Sequence, residues 1–163
     1  DIVGGDTWTT PTLANGRLYL RSQNGTLVCY DVNGDTNADQ MADSWAQQYA
    51  VTNAATDNDK DGYSNLDEYV LGTNPTNGNN HLDISVVVSN GSYLIRWPSL
   101  TASGTGYEGL FRWYDLLCLT NLASTNWIVL PGCSNLPGNN STLIHTNGSS
   151  DPARFYKVRV RLE

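Results

Sequence analysis

Residues 57–68 carry the spacing best suited to chemistry in this chain. They read Asp57, Asn58, Asp59, Lys60, Asp61, Gly62, Tyr63, Ser64, Asn65, Leu66, Asp67 and Glu68. Asp57, Asp59, Asp61, Asn65 and Glu68 supply side-chain oxygens at the first, third, fifth, ninth and twelfth places. Tyr63, at the seventh, supplies a backbone carbonyl. Calcium takes roughly six to eight hard oxygen ligands at about 2.4 Å. Alternate residues of a tight loop point inward, Gly62 permits the sharp turn, and Glu68 closes the site from the first turn of a helix. Without a cation, three crowded aspartates would repel one another. The expected chemistry is therefore Ca2+ coordination by an EF-hand-type loop.

The pattern occurs twice. Asp35, Asn37, Asp39 and Asp43 repeat the first, third, fifth and ninth places 22 residues earlier, with the Met41 carbonyl at the seventh. The sixth place has become Gln40 and the twelfth Ala46. Loss of the closing carboxylate predicts a weaker second calcium site. The alternative is an Asx-rich structural loop that needs no metal.

Short helices must hold these loops. They are predicted at 44–51 and 64–71, where Gly72 and then Pro75 stop the second. The same 22-residue offset sets Trp45 and Tyr49 against the helix bearing Leu66, Tyr69 and Val70, so the aromatics should pack the two helices together. On either side the texture is β. Before the loops, 12–13, 17–21 and 26–30 read as two or three strands, with Leu18 and Leu20 alternating with Arg17, Tyr19 and Arg21. After them come candidate strands at 82–88, 93–97, 110–119, 127–130, 142–146 and 155–162. The last alternates Tyr156, Val158, Val160 and Leu162 with Lys157, Arg159 and Arg161. Six Asn-Gly steps supply the turns. The fold expected is mainly β: an N-terminal β-meander (1–31), an EF-hand-like calcium-binding helical linker (32–80) and a C-terminal antiparallel β-sandwich (81–163).

Taken together, the paired loops, the run Asn65-Leu66-Asp67-Glu68-Tyr69 and the run Gly72-Thr73-Asn74-Pro75-Thr76 resemble the thrombospondin type 3-like and dockerin-like calcium repeats of secreted bacterial proteins. The first loop departs from that family at Gln40 and Ala46. Trp97-Pro98-Ser99, Thr120-Asn121-Leu122, Asn126-Trp127 and the run 155–160 resemble the β-sandwich module that often follows such repeats. That likeness implies an immunoglobulin or fibronectin III-like fold and no known chemistry. Residues 7–31 are similar to one repeat of a quinoprotein-like β-propeller, which implies either the processed tail of a longer precursor or a meander that finds β-partners elsewhere.

Composition narrows the remaining choices. The net charge is −7, with only nine Lys and Arg, which argues against nucleic acid as a partner. No apolar run is long enough to span a membrane. The chain opens with Asp1-Ile2-Val3-Gly4-Gly5, and a secreted protein would already have lost its leader. The expected location is extracellular or on the cell surface. Cys118 and Cys133 are expected to form a disulfide closing a loop of about 15 residues, worth about 3 kcal/mol, with two buried thiols as the alternative; Cys29 should be free. Five sequons make Asn24, Asn90, Asn139, Asn140 and Asn147 glycosylation candidates.

No catalytic motif is present, and His81 and His145 stand alone. The chain is not expected to be an enzyme. Glu108 and Asp115 are a conceivable acid/base pair that nothing in the sequence singles out. Trp97, Trp113 and Trp127, with Tyr107 and Tyr114, could stack on carbohydrate or fill a core. The expected function is a secreted, calcium-binding, non-catalytic structural or adhesive protein. The N-terminal meander, with Trp8 as an anchor, would add to a neighbour's sheet and build filaments. The second expectation is a dockerin-like or carbohydrate-binding module of a larger secreted enzyme.

Overall fold

A computed structural model of the chain describes residues 10–14, 17–22, 24–31, 34–148 and 154–163. Trp8 and the Asn15-Gly16 turn lie outside them. The described residues form three antiparallel sheets and two short helices. Among the described residues no helix is long and apolar enough to cross a membrane.

β1 (Thr12–Ala14), β2 (Arg17–Arg21) and β3 (Leu27–Asp31) make the first sheet, in that order. Gly25, at φ +87°, turns the chain between β2 and β3. Asn24 holds that turn by accepting from the Thr26 backbone N–H (3.2 Å) and hydroxyl (2.9 Å). Leu18, Tyr19 and Leu20 are all half-buried, so the alternation expected for β2 is not seen. The cause is the sheet's small size: none of its residues belongs to either of the two buried apolar clusters described below.

The helices are α1 (Asp43–Tyr49) and α2 (Asn65–Leu71), each within two residues of its predicted bounds and related by the expected 22-residue offset. α2 begins with a capping box. The Asp67 N–H donates to the Ser64 hydroxyl oxygen, and the Ser64 N–H donates to the Asp67 carboxylate. Gly72, at φ +78°, ends α2 and donates its N–H to the Glu68 carbonyl. Ala50 takes the same left-handed conformation at the end of α1. Trp45 and Tyr69 meet edge to face at 5.1 Å, as the aromatic pairing predicts. Tyr69 then stacks on Tyr107 at 5.0 Å. With Met41, Ala42 and Val51 these side chains form one buried cluster.

The remaining strands make two further sheets. One has the order β4 (Ser85–Ser89), β5 (Ser92–Ser99), β9 (Ser141–Gly148). In the other, β6 (Arg112–Leu119) lies between β10 (Phe155–Leu162) and the short strands β7 (Ile128–Val129) and β8 (Leu136–Pro137). Both sheets contribute to a second buried cluster: Ile95 and Trp97 from β5, and Tyr114, Leu116 and Cys118 from β6, with Leu130 and Cys133. β10 serves both clusters. Tyr156, Val158 and Val160 pack on the sheet core, and Leu162 packs on the helical one.

A buried arginine joins the two clusters. Arg112, at the start of β6, donates to the carbonyls of Val70 (2.7 Å) and Thr101 (2.6 Å). Its guanidinium also sits 5.0 Å from the Tyr107 ring centre. A Cβ added at Gly72 would lie 2.6 Å from Arg112 Nη1, so the guanidinium packs directly on the glycine that ends α2. Tyr69 and Tyr107 complete the junction: the Tyr69 hydroxyl donates to the Gly106 carbonyl (2.7 Å), and the Tyr107 hydroxyl to the Tyr69 carbonyl (2.8 Å).

The expected Cys118–Cys133 bridge is not formed. Both are buried free thiols, and Cys29 is an exposed one. The reason lies in the pairing. Residue 133 hydrogen-bonds opposite Leu116, whereas Cys118 pairs with Ile128 and Tyr156 on its two sides. Cys133 Sγ approaches His145 Nδ1 instead, at 3.4 Å. Burial pushes the Cys133 thiol above its ordinary pKa, toward the neutral form.

Candidate metal centre

The loop before α2 is built by its own side chains. Asp57 accepts from the backbone N–H of Lys60 (2.7 Å) and of Gly62 (3.0 Å), and Asp61 Oδ1 accepts from the Tyr63 N–H (2.9 Å). Lys60 and Gly62 both take positive φ, +66° and +97°. This winding brings one ligand atom from each of Asp57, Asp59 and Asp61 within 4.8 Å of one another.

Two oxygen-bearing side chains follow the loop on α2. Asn65 and Glu68 are fully buried, at 0% exposure. The Asn65 amide nitrogen donates to the Asn53 carbonyl (2.7 Å), which settles the orientation of the amide and leaves its oxygen free. Glu68 Oε1 accepts from the Thr73 hydroxyl (3.3 Å), while Oε2 has no partner. Both oxygens of Asp59 and Oδ2 of Asp61 are likewise buried and without a hydrogen-bond partner. Burying a carboxylate oxygen unpaired costs several kcal/mol unless a cation balances it. Burial first, then the charges of Asp59 and Asp61, push the Glu68 carboxyl up to about 7. A divalent ion would balance these charges: the oxygen-only cluster of Asp57, Asp59 and Asp61 could hold a metal ion and is compatible with Ca2+.

Four neighbours of the site carry no ligand motif and were not singled out as site residues from sequence. Thr73 fixes Glu68, and the Asn53 carbonyl fixes Asn65. Gly78 lies over the loop: a Cβ there would meet the Asp59 carbonyl oxygen at 3.2 Å and Asp61 Cβ at 3.5 Å. His81 places Nδ1 3.1 Å from the Gly78 carbonyl oxygen and 3.8 Å from Asp61 Oδ2. Asn53, Gly78 and His81 lie outside the twelve residues of the loop, and Thr73 follows Glu68 by five. The run Gly72–Thr76 is the one sequence signal near them.

The earlier loop has the same backbone plan. Ala38 and Gln40 take φ +57° and +73° at the places of Lys60 and Gly62. Asp35 accepts from the Asp39 and Gln40 N–H groups, and Asp39 from the Met41 N–H. The Asp43 N–H donates to the Gly34 carbonyl just as the Asn65 N–H donates to the Thr56 carbonyl. The side chains differ. Asp43 is engaged by the Thr36 N–H and hydroxyl, the latter at 2.6 Å, and the Asn37 amide donates to Asp39 (2.9 Å). Among the described residues, the carboxylates of Asp35, Asp39 and Asp43 do not converge as those of Asp57, Asp59 and Asp61 do. The Met41 side chain is in the helical core.

The other candidates separate clearly. Asn24, Asn90, Asn139 and Asn140 are exposed, and Asn147 is 7% exposed on β9. Trp97, Tyr107 and Tyr114 are buried and cannot stack on a sugar at the surface. Lys157 covers the half-buried Trp127 ring at 4.5 Å. The basic face of β10 is already engaged. Arg159 pairs with the buried Asp115 at 2.8 Å, and Arg161 with Glu163 at 2.6 Å. Burial alone would raise Asp115, but hydrogen bonds from the Asn135 N–H and Arg159, and the charges of Arg159 and Arg161, bring it below its ordinary value. Asp115 is thus held as a carboxylate by arginine, while Glu108 accepts from the Gly106 N–H. Comparison with family models, with curated proteins and with solved structures finds no match to the chain.

Proposed function

We propose that this chain is a secreted, calcium-binding, non-catalytic structural or adhesive protein, with one principal site formed by Asp57, Asp59, Asp61, Asn65, Glu68 and the Tyr63 carbonyl. The observation that carries the reading is the set of orphaned oxygens: Asp59 Oδ1 and Oδ2, Asp61 Oδ2, Asn65 Oδ1 and Glu68 Oε2. The loop at 35–43 is a second, weaker site in this reading. The extracellular setting supplies the calcium concentration at which exposed loops of this kind fill. The two C-terminal sheets are read as an immunoglobulin or fibronectin III-like sandwich, which their shared core supports. The N-terminal sheet is read as a meander that associates with another chain, supported by its lack of any residue in either buried cluster. The second reading, a dockerin-like module of a larger enzyme, is favoured by the twin loops, since two loop-helix units related by a fixed offset are the form such modules take.

Calorimetry of the full chain tests the calcium reading directly. Wild type should bind calcium and lose melting temperature in chelator, and Glu68→Ala should weaken binding severely. Absence of a binding heat together with an unchanged melting curve in chelator would overturn it.

A further inference from the structure

The edge strand β4 is exposed along its whole length. It ends the sheet β4-β5-β9, so its outer row of N–H and C=O groups has no partner strand among the described residues. Cross-strand neighbours share a face, which allows its valines to be assigned. Val86 lies opposite Ile95 and Val88 opposite Tyr93, so both valines point to the same side as Ile95 and Trp97, toward the second sheet. They are nevertheless 55% and 67% exposed. The second sheet does not extend over β4. Val87, opposite Leu94 on the outer side, is 41% exposed. Ile84 and Tyr93 add to the same uncovered apolar area.

Soluble proteins blunt such edges with lysine, proline, a bulge or an inward-pointing charge. Nothing of that kind occurs between Ile84 and Gly91. The strand reads Ser85, Val86, Val87, Val88, Ser89, and this order is the same in both directions. An antiparallel copy centred on Val87 therefore sets serine against serine and valine against valine. Ser85 meets Ser89 of the copy, Val86 meets Val88, and Val87 meets itself on the two-fold axis. The same register sets Asp83 opposite Gly91, so the nearest charge meets no like charge. A two-fold contact requires such self-complementarity.

We infer that β4 is a homodimer interface: a second copy of this chain pairs its own β4 antiparallel to the first, centred on Val87, and joins two three-stranded sheets into one of six. The inward-facing Val86 and Val88 of each copy then lie side by side and cover one another. This contact is independent of the calcium reading. It also differs from addition of the N-terminal sheet, because it closes on itself as a dimer and does not propagate. A five-residue edge buries less than the ~1,200 Å² below which interfaces are weak and transient, so the dimer depends on concentration.

Charge reversal at the axis tests this. Full-length wild type, Val87→Lys, Val87→Glu and an equimolar mixture of the two variants are compared by sedimentation velocity over a concentration series, with near-ultraviolet circular dichroism confirming the fold. Wild type should show a monomer–dimer equilibrium. Each variant alone, with like charges facing across the axis, should dimerise at least tenfold more weakly. The mixture should recover dimer, because lysine then faces glutamate. The double variant Ser85→Lys/Ser89→Glu sets unlike charges across the same axis twice and should tighten the dimer. A monomeric wild type at all concentrations overturns the inference. So do variants that dimerise like wild type, or a mixture that stays monomeric.

Discussion

Replacing Glu68 with glutamine should stabilise the protein in chelator and destabilise it in calcium. In the metal-free protein the Glu68 carboxyl is fully buried and faces Asp59 and Asp61. Its pKa rises from 4.5 to about 7. At about 1.4 kcal/mol per pH unit, that rise represents about 3 kcal/mol of penalty for the charged form above neutrality. The sign follows from proton binding. Between 4.5 and 7 the folded chain holds a proton at Glu68 that the unfolded chain has released, so metal-free stability falls as pH rises through this window and levels off above it. Glu68→Gln removes that dependence. It keeps the oxygen that accepts from Thr73 and presents an amide nitrogen where Oε2 faced the aspartates. At pH 8 in chelator the variant should therefore melt about 6–12 °C higher, taking roughly 2–4 °C per kcal/mol for a chain of this size. At pH 5 in chelator the gap should nearly close. In calcium at a thousand times the wild-type dissociation constant the order should reverse, because binding then adds about 4.1 kcal/mol to wild type, more than the penalty it carries in chelator, while the variant has lost a charged ligand and gains little. Differential scanning calorimetry at two pH values, with and without calcium, reads all four cases. Identical melting of wild type and variant in chelator at pH 8 would refute the argument.

Thr73→Val keeps the shape of the side chain but removes the hydroxyl that holds Glu68 Oε1; calcium affinity measured by titration should fall about 3–10-fold, the equivalent of one ordinary hydrogen bond. Asp115→Asn should cost about 1–3 kcal/mol in denaturant melts at pH 7, since it weakens charge-assisted bonds to Arg159. The deficit should shrink as pH falls below 3.8, because the unfolded chain then binds a proton at Asp115 that the folded chain, with its lowered pKa, still releases. Thiol labelling of the unfolded, unreduced chain should count three free cysteines, with Cys118 and Cys133 protected until the fold opens.

Local rules recovered the parts of this molecule whose geometry is local. The two loops repeat down to the φ of Ala38 against Lys60 and Gln40 against Gly62, because an aspartate at the first place and a tight turn at the sixth define one winding. β10 was legible from its alternation, since Tyr156, Val158, Val160 and Leu162 meet the cores while Lys157, Arg159 and Arg161 lie on the other face. What escaped was set by tertiary pairing. β8 is only Leu136–Pro137, and it is a strand because Trp113 and Tyr114 lie beside it. Arg112 looks like any charged residue entering a strand, yet it is buried against the end of α2. The cysteines have a suitable separation in sequence, but β register carries the two backbones past one another. The site itself divides the same way: its ligands were readable at fixed spacing, whereas Thr73, Asn53, Gly78 and His81 reach it through the fold.

The Arg112 junction makes α2 a short beam held at both ends. Near its start sit Asn65 and Glu68, facing the metal loop; at its finish the Val70 carbonyl is gripped from β6 and Gly72 leaves no room for slack. Seven residues of helix do not bend independently over so short a span. A cation that draws Glu68 inward therefore pulls on the same beam that Arg112 anchors, and thermodynamic reciprocity requires the effect to run both ways. Calcium would brace the distant sheets, and a well-packed β6 would sharpen the grip on calcium.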